Sequence, residues 1–291
     1  MIDTGLKDRV VLITGANHGI GGATALEFAG QGAKVFVTYF RRPLEPEFKD
    51  SPEEEPGVIH YRIQQTKTAD EVMRKIEKRG GAADVWETDL SDPTNIPKLF
   101  DRAERSLGPV EIVVNNAAYG EADTFEPEFR LSEEDSHAAD FHLFNITAET
   151  HDSHFAVNSR GTALMMAEFA RRHIKRGSGW GRIINISADG ASGFPCEVSY
   201  DASKHAMESY SRAVARELGK YGITVNVISP GAVQTGYIPA ELQKMLEDDY
   251  PLRRIGEPKD IADVVVFMAS EQARWITGQL LYVGGGNSMS L

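Results

Sequence analysis

Short apolar runs rich in β-branched residues alternate with helix-like segments along the whole chain of 291 residues. The first run is RVVLITG at 9–15, and similar runs begin near residues 33, 83, 111, 181, 223 and 278. Continuous apolar runs are typical of buried parallel strands, which need a crossover segment between them. The alternation therefore predicts an α/β fold, with a doubly wound parallel sheet of seven strands and helices on both faces. No internal repeat or linker divides the chain, so we predict a single domain over residues 1–291.

Two acidic segments interrupt this alternation. Residues 43–65 contain PLEPEFKDSPEEEPG, whose prolines and charges predict an exposed, mobile insertion to which we assign no chemistry. Residues 120–146 form a second acidic insertion with several phenylalanines, after a predicted strand end where open α/β sheets bind ligands. Its aromatic side chains could form part of a substrate wall or a small core of the loop itself.

The net charge limits the classes of partner, and the cysteine content indicates the cellular compartment. The formal net charge of -12 argues against binding to nucleic-acid phosphates or to anionic membrane surfaces. The one cysteine, Cys196, excludes an internal disulfide and fits a reducing compartment, so we predict a cytoplasmic protein. No signal-peptide pattern or membrane-spanning apolar run is present. The histidines show no metal-ligand spacing, so we predict no metal site.

Three glycines lie between the first predicted strand and a helix of small residues. Gly15, Gly19 and Gly21 fall in the segment TGANHGIGG, and the helix pattern follows at once. At such a junction, glycines let the backbone approach a pyrophosphate, which the free N–H groups and dipole of the helix N-terminus bind. This context indicates a Rossmann-like dinucleotide site, although a tight turn without a ligand would use the same glycines.

The end of the second predicted strand bears on the choice of cofactor. A carboxylate there would hold the 2′-hydroxyl of NAD(H), but the chain has Tyr39, Phe40, Arg41 and Arg42. Two guanidinium groups suit the 2′-phosphate of NADP(H) better. We therefore predict that NADP(H) is preferred and that NAD(H) is possible. An ordinary solvated basic pair is the alternative interpretation.

Polar side chains mark three further elements. Asp89 ends the third predicted strand and could accept a hydrogen bond from an adenine amino group. Asn115 and Asn116 end the fourth, where they could fix loops or a ribose, or simply form a turn. Asn158 lies within a long helix predicted from about 148 to 176, where asparagine is locally unfavourable. It has either a functional role or a plain buried hydrogen bond.

The segment 187–204, SADGASGFPCEVSYDASK, holds a hydroxyl, a phenol and an ammonium. Tyr200 and Lys204 are four residues apart, so on a helix both project from one face. A lysine ammonium lowers the pKa of a nearby phenol from about 10, so Tyr200 could exchange a proton with a substrate oxygen near neutral pH. Ser187, at the end of the fifth predicted strand, could hydrogen-bond the same oxygen. The alternative is an ordinary surface pair.

Together these motifs resemble the short-chain dehydrogenase/reductase family over nearly the full length of the chain. The order and approximate separation of the motifs agree with those of the family. The chain looks most like members of the 3-oxoacyl-acyl-carrier-protein reductase type. The matching segments are TGANHGIG (14–21), Asp89-Leu90, NNAA (115–118), Asn158, Ser187, YDASK (200–204), PGAVQT (230–235) and ITGQLLYVGGG (276–286).

The resemblance implies a role for each residue of the catalytic set. Tyr200 would be the general acid/base, and Lys204 would hold the nicotinamide ribose and lower the Tyr200 pKa. Ser187 would polarise the substrate carbonyl. Asn158 would anchor a water-linked proton relay. The implied catalytic residues are therefore Asn158, Ser187, Tyr200 and Lys204.

The resemblance also implies a cofactor site. Asp89, Leu90 and Asn115 would line the adenosine side, while Thr235 and the backbone of Val233 would contact the carboxamide. The predicted cofactor-binding residues are Gly15, Asn17, His18, Gly19, Ile20, Gly21, Tyr39, Arg41, Arg42, Asp89, Leu90, Asn115, Ala117, Tyr200, Lys204, Pro230, Gly231, Val233 and Thr235.

At four positions the residue in this chain is compared with the usual pattern of the family. His18 occupies a place where NADP(H)-using relatives often carry a basic residue, and it adds charge only when protonated. Ala118 stands where the family usually has glycine, and Gly284 where it usually has aspartate. The family often shows two serines after the fifth strand, whereas this chain has only Ser187. The insertions make the substrate pocket the part least transferable from the family.

The sequence therefore predicts an NADP(H)-dependent oxidoreductase that transfers a hydride between nicotinamide and a carbonyl or alcohol substrate, acting on CH–OH groups. One alternative is an NAD(H)-dependent alcohol or polyol dehydrogenase. Another is a non-catalytic, dinucleotide-sensing regulatory protein with the same fold. The predicted partner is a small molecule, with no nucleic acid and no membrane. The resemblance further implies a homotetramer, or a homodimer.

Overall fold

The computed structural model describes residues 3–44, 46–48, 55–126, 144–189 and 193–288. Its main feature is a seven-stranded sheet in which every neighbouring pair of strands is parallel. The predicted fold class is confirmed, because each of the seven apolar runs forms one strand of this sheet. The strands are β1 (Val10–Thr14), β2 (Lys34–Tyr39), β3 (Ala83–Glu87), β4 (Ile112–Asn115), β7 (Gly181–Ile186), β8 (Ile223–Pro230) and β9 (Leu280–Val283), while β5 (Asp123–Thr124) and β6 (Phe144–Asn145) pair separately.

The strand order is β3-β2-β1-β4-β7-β8-β9. The chain winds outward from β1 to β3, returns to β4 beside β1, and continues to β9. The carboxyl ends of β1 and β4 therefore border the crevice where the winding direction reverses, which is where open α/β sheets bind ligands.

The helices occupy both faces of the sheet and vary in length. At least one helix lies between each pair of consecutive strands of the seven-stranded sheet, as the alternation predicts. They are α1 (Gly19–Gly30), α2 (Val58–Gln65), α3 (Asp70–Lys78), α4 (Asn95–Leu107), α5 (Ala148–His154), α6 (Thr162–Lys175), α7 (Val198–Leu218), α8 (Ala240–Asp249) and α9 (Pro258–Ala269).

Successive residues of a central strand pack into two separate cores. In β1, Val11 and Ile13 belong to the core beneath α1 and α9, where Phe28 is fully buried. Val10 and Leu12 belong to the opposite core, beneath α4, α6 and α7. Alternate side chains of a strand point to opposite faces, so an apolar run buries both faces of the sheet at once. This explains why the strands read as continuous rather than alternating apolar segments.

Three segments differ from the prediction. Helix α2 forms within the acidic insertion 43–65. Helix α8 forms after Pro230, where the Pro-Gly pair at 230–231 predicts a loop as far as about residue 257. The long helix predicted from 148 to 176 is interrupted by a π-helical segment, Phe155–Gly161, between α5 and α6. Most of the second insertion, residues 127–143, lies outside the described residues.

Candidate active site

A cleft of about 370 Å³ opens at the carboxyl ends of the strands, within the range of small-molecule sites. It extends from the ends of β2 and β3 to the start of α7. Most of the residues singled out in the sequence lie in its wall. These are Gly15, Asn17, His18, Gly19, Ile20, Tyr39, Arg42, Asp89, Leu90, Ala117, Ser187, Tyr200, Lys204, Pro230, Gly231, Val233 and Thr235.

The loop between β1 and α1 has the backbone geometry of an anion site. Gly15 and Gly19 adopt φ angles of 62° and 55°, in the left-handed region that favours glycine. Helix α1 begins beside the cleft with no side-chain cap and no acidic residue in its first turn. Its first N–H groups therefore have no intrahelical partner, and they carry the positive end of the helix dipole. These residues fit the pyrophosphate of a dinucleotide.

Gly21 supports this loop from behind rather than lining the cleft. A Cβ atom there would lie 2.2 Å from the Gly15 carbonyl oxygen and 2.5 Å from the Asn116 Nδ2 atom. That amide nitrogen donates hydrogen bonds to the carbonyl oxygens of Thr14 (3.0 Å) and Gly15 (2.9 Å). The lack of a side chain at Gly21 thus allows the close contact between the loop and β4, and its place as a cofactor residue stays a prediction.

The paired asparagines at the end of β4 have different roles. Asn115 is buried, and its Nδ2 atom donates to Asn185 Oδ1 at 2.7 Å on β7. It lies outside the cleft wall, contrary to the prediction that it lines the adenosine side. Asn116 lies in the wall instead, and the backbone N–H groups of Asn116 and Ala117 both bind the Thr14 hydroxyl oxygen at 3.0 Å.

Tyr200 and Lys204 lie one turn apart on α7 and both line the cleft. Lys204 Nζ donates to the Ile186 carbonyl oxygen at 2.8 Å, which ties the helix to the end of β7. The same atom lies 5.5 Å from the centre of the Tyr200 ring. The sequence therefore predicted both the shared helix face and the meeting of this pair with β7.

The pKa of the Tyr200 phenol does not follow the prediction. Burial raises it above the usual range, and the negative charge of Glu197 adds to the rise. Burial lowers the pKa of Lys204 to about 8, against an opposing effect of Glu208. Because burial and the nearby negative charge both disfavour the phenolate, Tyr200 remains protonated at neutral pH. It is therefore a proton donor in this structure rather than a phenolate.

Ser187 lines the cleft, and its hydroxyl donates a hydrogen bond within the protein. Ser187 Oγ donates to Glu208 Oε1 at 2.6 Å, and both residues are buried. A hydroxyl has a single proton, so this bond prevents simultaneous donation to a substrate carbonyl. To polarise a substrate carbonyl, as the resemblance implies, Ser187 would have to turn its proton from Glu208 to the cleft.

Asn158 lies within the π-helical segment and is 1% exposed, so its polar side chain needs partners inside the protein. Its Oδ1 atom accepts from the Tyr119 N–H at 2.8 Å. Its Nδ2 atom donates to the Tyr119 carbonyl oxygen at 2.8 Å and to Ser203 Oγ at 2.9 Å. Both amide protons are used, so the side chain joins the β4 loop to α7 and does not face the cleft. Short π-helical segments often occur at functional sites.

The two arginines after β2 point to different carboxylates. Arg41 pairs with Glu87 at 2.9 Å, and it lies outside the cleft wall, contrary to the prediction. Arg42 lies in the wall and pairs with Glu121 at 2.6 Å. Arg62 of α2 binds both oxygens of the same carboxylate, at 3.1 and 2.9 Å. Two guanidinium groups thus bind the same carboxylate.

Helix α2 covers part of the cleft, which the sequence did not reveal. Tyr61 and Gln65 lie in the wall, and the Tyr61 ring makes edge contacts with His18 (5.9 Å) and Tyr237 (5.2 Å). Burial, and then the charge of Lys67, lower the pKa of His18, so it is neutral at neutral pH. It therefore does not supply the predicted charge. The run VIHYRIQQ, free of proline and glycine, was the available signal for this helix.

The described part of the chain offers neither a cluster of metal ligands nor a membrane-spanning helix. Among residues 3–44, 46–48, 55–126, 144–189 and 193–288, no group of three His, Cys, Asp or Glu side chains is placed to hold a metal ion. Across the same ranges, no helix is long and apolar enough to cross a bilayer.

Comparison with known proteins gives consistent matches over nearly the whole chain. A family model described as enoyl-(acyl carrier protein) reductase matches residues 53–288. An uncharacterised oxidoreductase of Bacillus subtilis is 30% identical, covering 96% of this chain and 97% of the relative. A chloroplastic NADPH-dependent aldehyde reductase of Arabidopsis thaliana is 34% identical, with coverage of 97% and 94%.

Two other matches extend this similarity. A probable tetrahydroxynaphthalene reductase of Zymoseptoria tritici is 32% identical, covering 99% of this chain and 98% of the relative. A solved structure, a mutant short-chain dehydrogenase/reductase of Serratia marcescens, has a TM-score of 0.76 at 26% identity. It covers 98% of this chain, and the alignment spans 99% of the solved chain.

Proposed function

Because this chain belongs to the short-chain dehydrogenase/reductase family, we propose that it is an NADP(H)-dependent reductase of ketones or aldehydes. Its relatives include, by their names, an NADPH-dependent aldehyde reductase and a probable tetrahydroxynaphthalene reductase. The reaction is reversible in principle, so the same site would oxidise the corresponding alcohol. The proposed compartment is the cytoplasm.

One observation supports the proposal most strongly. A single cleft contains an anion-binding helix N-terminus at one side and the Tyr200–Lys204 pair at the other. A dinucleotide needs the first, and proton transfer to a carbonyl oxygen needs the second. A protein that only senses the dinucleotide has no need of the second.

The chain's own residues would handle binding and the proton. A bound nicotinamide would supply the hydride. Tyr200, protonated at neutral pH, would donate its phenolic proton to the carbonyl oxygen as negative charge develops there. Lys204, anchored on the Ile186 carbonyl oxygen, would place its positive charge beside the phenol and stabilise the phenolate that remains.

A panel of carbonyl compounds tests this function. The names of the relatives suggest aldehydes and polyhydroxynaphthalenes as two groups to include, and simple ketones complete the panel. We expect at least one compound to be reduced at the expense of NADPH, followed by the loss of absorbance of the reduced nicotinamide. Absence of turnover on every compound, with NADPH still bound, would favour a dinucleotide-sensing protein.

The choice between NADP(H) and NAD(H) depends on the Arg42 cluster. Arg42 lies in the cleft wall, where its guanidinium could bind a 2′-phosphate in a charge-assisted contact. This supports NADP(H). The second candidate, an NAD(H)-dependent alcohol or polyol dehydrogenase, is favoured by the fact that Arg41 and Arg42 both already have carboxylate partners.

Substitution of Arg42 separates these candidates. We expect Arg42→Ala to raise the KM for NADPH about tenfold more than the KM for NADH, because a charge-assisted contact contributes roughly 1.5–3 kcal/mol before solvent screening. The measurement is kcat/KM with each cofactor on one substrate. Arg105→Ala, an exposed arginine on α4, controls for loss of charge. An equal rise for both cofactors would show that Arg42 only holds α2 in place.

We further propose a homotetramer. Large apolar side chains are exposed on α6 (Leu164), α7 (Tyr210), α9 (Phe267) and near β9, where Trp275 is 95% exposed. Burial of these groups between copies would remove apolar surface from water. Light scattering at micromolar concentration is expected to give the mass of four chains, or of two. The mass of a single chain would contradict this proposal.

A further inference from the structure

Helix α2 is anchored at both ends to loops that border the cleft. Just before the helix, the Gly57 N–H donates to the Gly236 carbonyl oxygen at 2.9 Å, in the loop after β8. At its last residue, the Gln65 carbonyl oxygen accepts from the Arg42 N–H at 3.2 Å, just after β2. The strand order places β1, β4 and β7 between β2 and β8. The helix therefore reaches across the carboxyl ends of the strands on which the cleft is built.

The middle of α2 bridges two of the loops that form the cleft. Tyr61 lines the cleft, and its ring contacts both His18, which directly precedes α1, and Tyr237. The two loops are close together here, since a Cβ atom at Gly19 would lie 3.4 Å from Thr235 Cγ2. Tyr61 thus connects the loop that would bind a pyrophosphate to the loop after β8.

An ion pair fastens α2 at a further point. Arg62 Nη1 and Nη2 donate to the two carboxylate oxygens of Glu121 at 3.1 and 2.9 Å, and the two side chains are only 17% and 14% exposed. Glu121 follows β4, and its own N–H donates to His154 Nε2 at 3.1 Å, which fixes the backbone beneath the carboxylate. Bidentate arginine–carboxylate pairs are strong, and partial burial limits screening by salt. The ion pair therefore holds the helix to the loop after β4.

We propose that α2 is a strap that binds the cofactor, in which Tyr61 and Gln65 contact the dinucleotide and the Arg62–Glu121 ion pair keeps the helix closed over it. The inference rests on the NADP(H) binding proposed above. Both contact residues line the cleft. A dinucleotide that reached from the N-terminus of α1 to Tyr200 would lie beneath the helix. Its entry and its exit would then both require the ion pair to open.

The kinetics of binding distinguish a strap from a charge that attracts phosphate. Loss of an attracting charge slows association and speeds dissociation. Loss of the ion pair that closes a strap has another effect, because the open state becomes more populated both with and without the cofactor. Association and dissociation then both become faster, and the Kd changes much less than either rate constant.

Arg62→Ala tests the strap with NADPH as the probe. We expect kon and koff each to rise roughly tenfold, and the Kd to change by less than about threefold. Stopped-flow measurement of NADPH fluorescence gives both rate constants without any turnover. Arg74→Ala is the matched control, since Arg74 is an exposed arginine on the neighbouring helix α3 and lies outside the cleft wall. It should leave both rate constants unchanged.

Hydrogen exchange gives a second readout that needs no cofactor. Amides of α2 should exchange severalfold faster in Arg62→Ala than in the unmodified chain, because local opening becomes easier. Glu121→Gln, which removes the charge of the other partner, should accelerate exchange in the same peptide. Added NADPH should slow that exchange in the unmodified chain. Among the described residues, α2 contributes no side chain to the two cores of the sheet, so both variants are expected to fold.

Two results would overturn the strap. One is unchanged rate constants and unchanged α2 exchange in Arg62→Ala, in a protein that binds NADPH. The other is a lower kon together with a higher koff, which would make Arg62 a phosphate-attracting charge. The proposed reaction is tested separately by the carbonyl panel. Faster association and dissociation in Arg62→Ala, without reduction of any carbonyl by the unmodified chain, would reject that reaction and leave the strap supported.

Discussion

Replacement of Tyr200 by phenylalanine is expected to lower kcat for carbonyl reduction by at least a hundredfold, while the affinity for NADPH is retained. General acid–base catalysis contributes about 10²–10⁴-fold, and Tyr200 is the phenol of the cleft wall to which the proposed function assigns proton donation. Phenylalanine keeps the ring, which packs against His154 and beside Gly120. The loss should therefore appear in kcat rather than in folding. Initial rates and NADPH fluorescence titration give the two quantities.

Tyr210→Phe is the matched control for this result. Tyr210 lies on the same helix, ten residues further on, and is exposed to solvent. The same loss of one hydroxyl there should leave kcat unchanged. A Tyr200→Phe variant that keeps more than a tenth of the original kcat would show that another group donates the proton.

Gly21→Ala is expected to disrupt cofactor binding and to destabilise the protein. The added Cβ would lie 2.2 Å from the Gly15 carbonyl oxygen and 2.9 Å from Ala16 Cα, and neither backbone atom can move cheaply. Overpacking of this kind typically costs roughly 1–3 kcal/mol, and occasionally more. For a chain of this size, that corresponds to a fall in melting temperature on the order of 2–5 °C. The Kd for NADPH should rise at least tenfold, since the displaced loop holds the free N–H groups of α1.

Gly30→Ala provides the control on the same helix. No atom lies within 4 Å of a Cβ built at Gly30, which is the last residue of α1. Alanine at a compatible glycine position typically adds about 0.4–1 kcal/mol, so the melting temperature should rise slightly. Thermal unfolding and NADPH titration of both variants complete the test. Equal melting temperatures and Kd values for Gly21→Ala and the unmodified chain would contradict the close approach seen in the structure.

The fold was predictable because its signals are local. Each strand of the parallel sheet is a short run whose residues face two cores, as Val10, Val11, Leu12 and Ile13 do in β1. Burial on both faces leaves a continuous apolar segment in the sequence. The Tyr200–Lys204 pair was predictable for a similar reason, since a spacing of four fixes a shared helix face.

The parts that escaped prediction depend on contacts between distant residues. The Ser187–Glu208 bond joins residues 21 positions apart, and the helix pattern alone does not mark Glu208 as buried. The carboxylates that pair with Arg41 and Arg42 lie 46 and 79 positions away. Helix α2 was obscured by its acidic and proline-rich surroundings, although Tyr61 and Gln65 contribute to the cleft wall. Desolvation of Tyr200 likewise follows only from the packed structure.

Direct hydride transfer from nicotinamide to a carbonyl carbon is the central claim, and isotopic labelling tests it most directly. The chain is incubated with NADPH that carries deuterium at both C4 positions of the nicotinamide, together with a carbonyl compound that it reduces. The product alcohol is then analysed by mass spectrometry. We expect one deuterium on the carbinol carbon, and none on that carbon when unlabelled NADPH is used in deuterated water. An alcohol without the label, or no alcohol from any carbonyl of the panel, would contradict the claim.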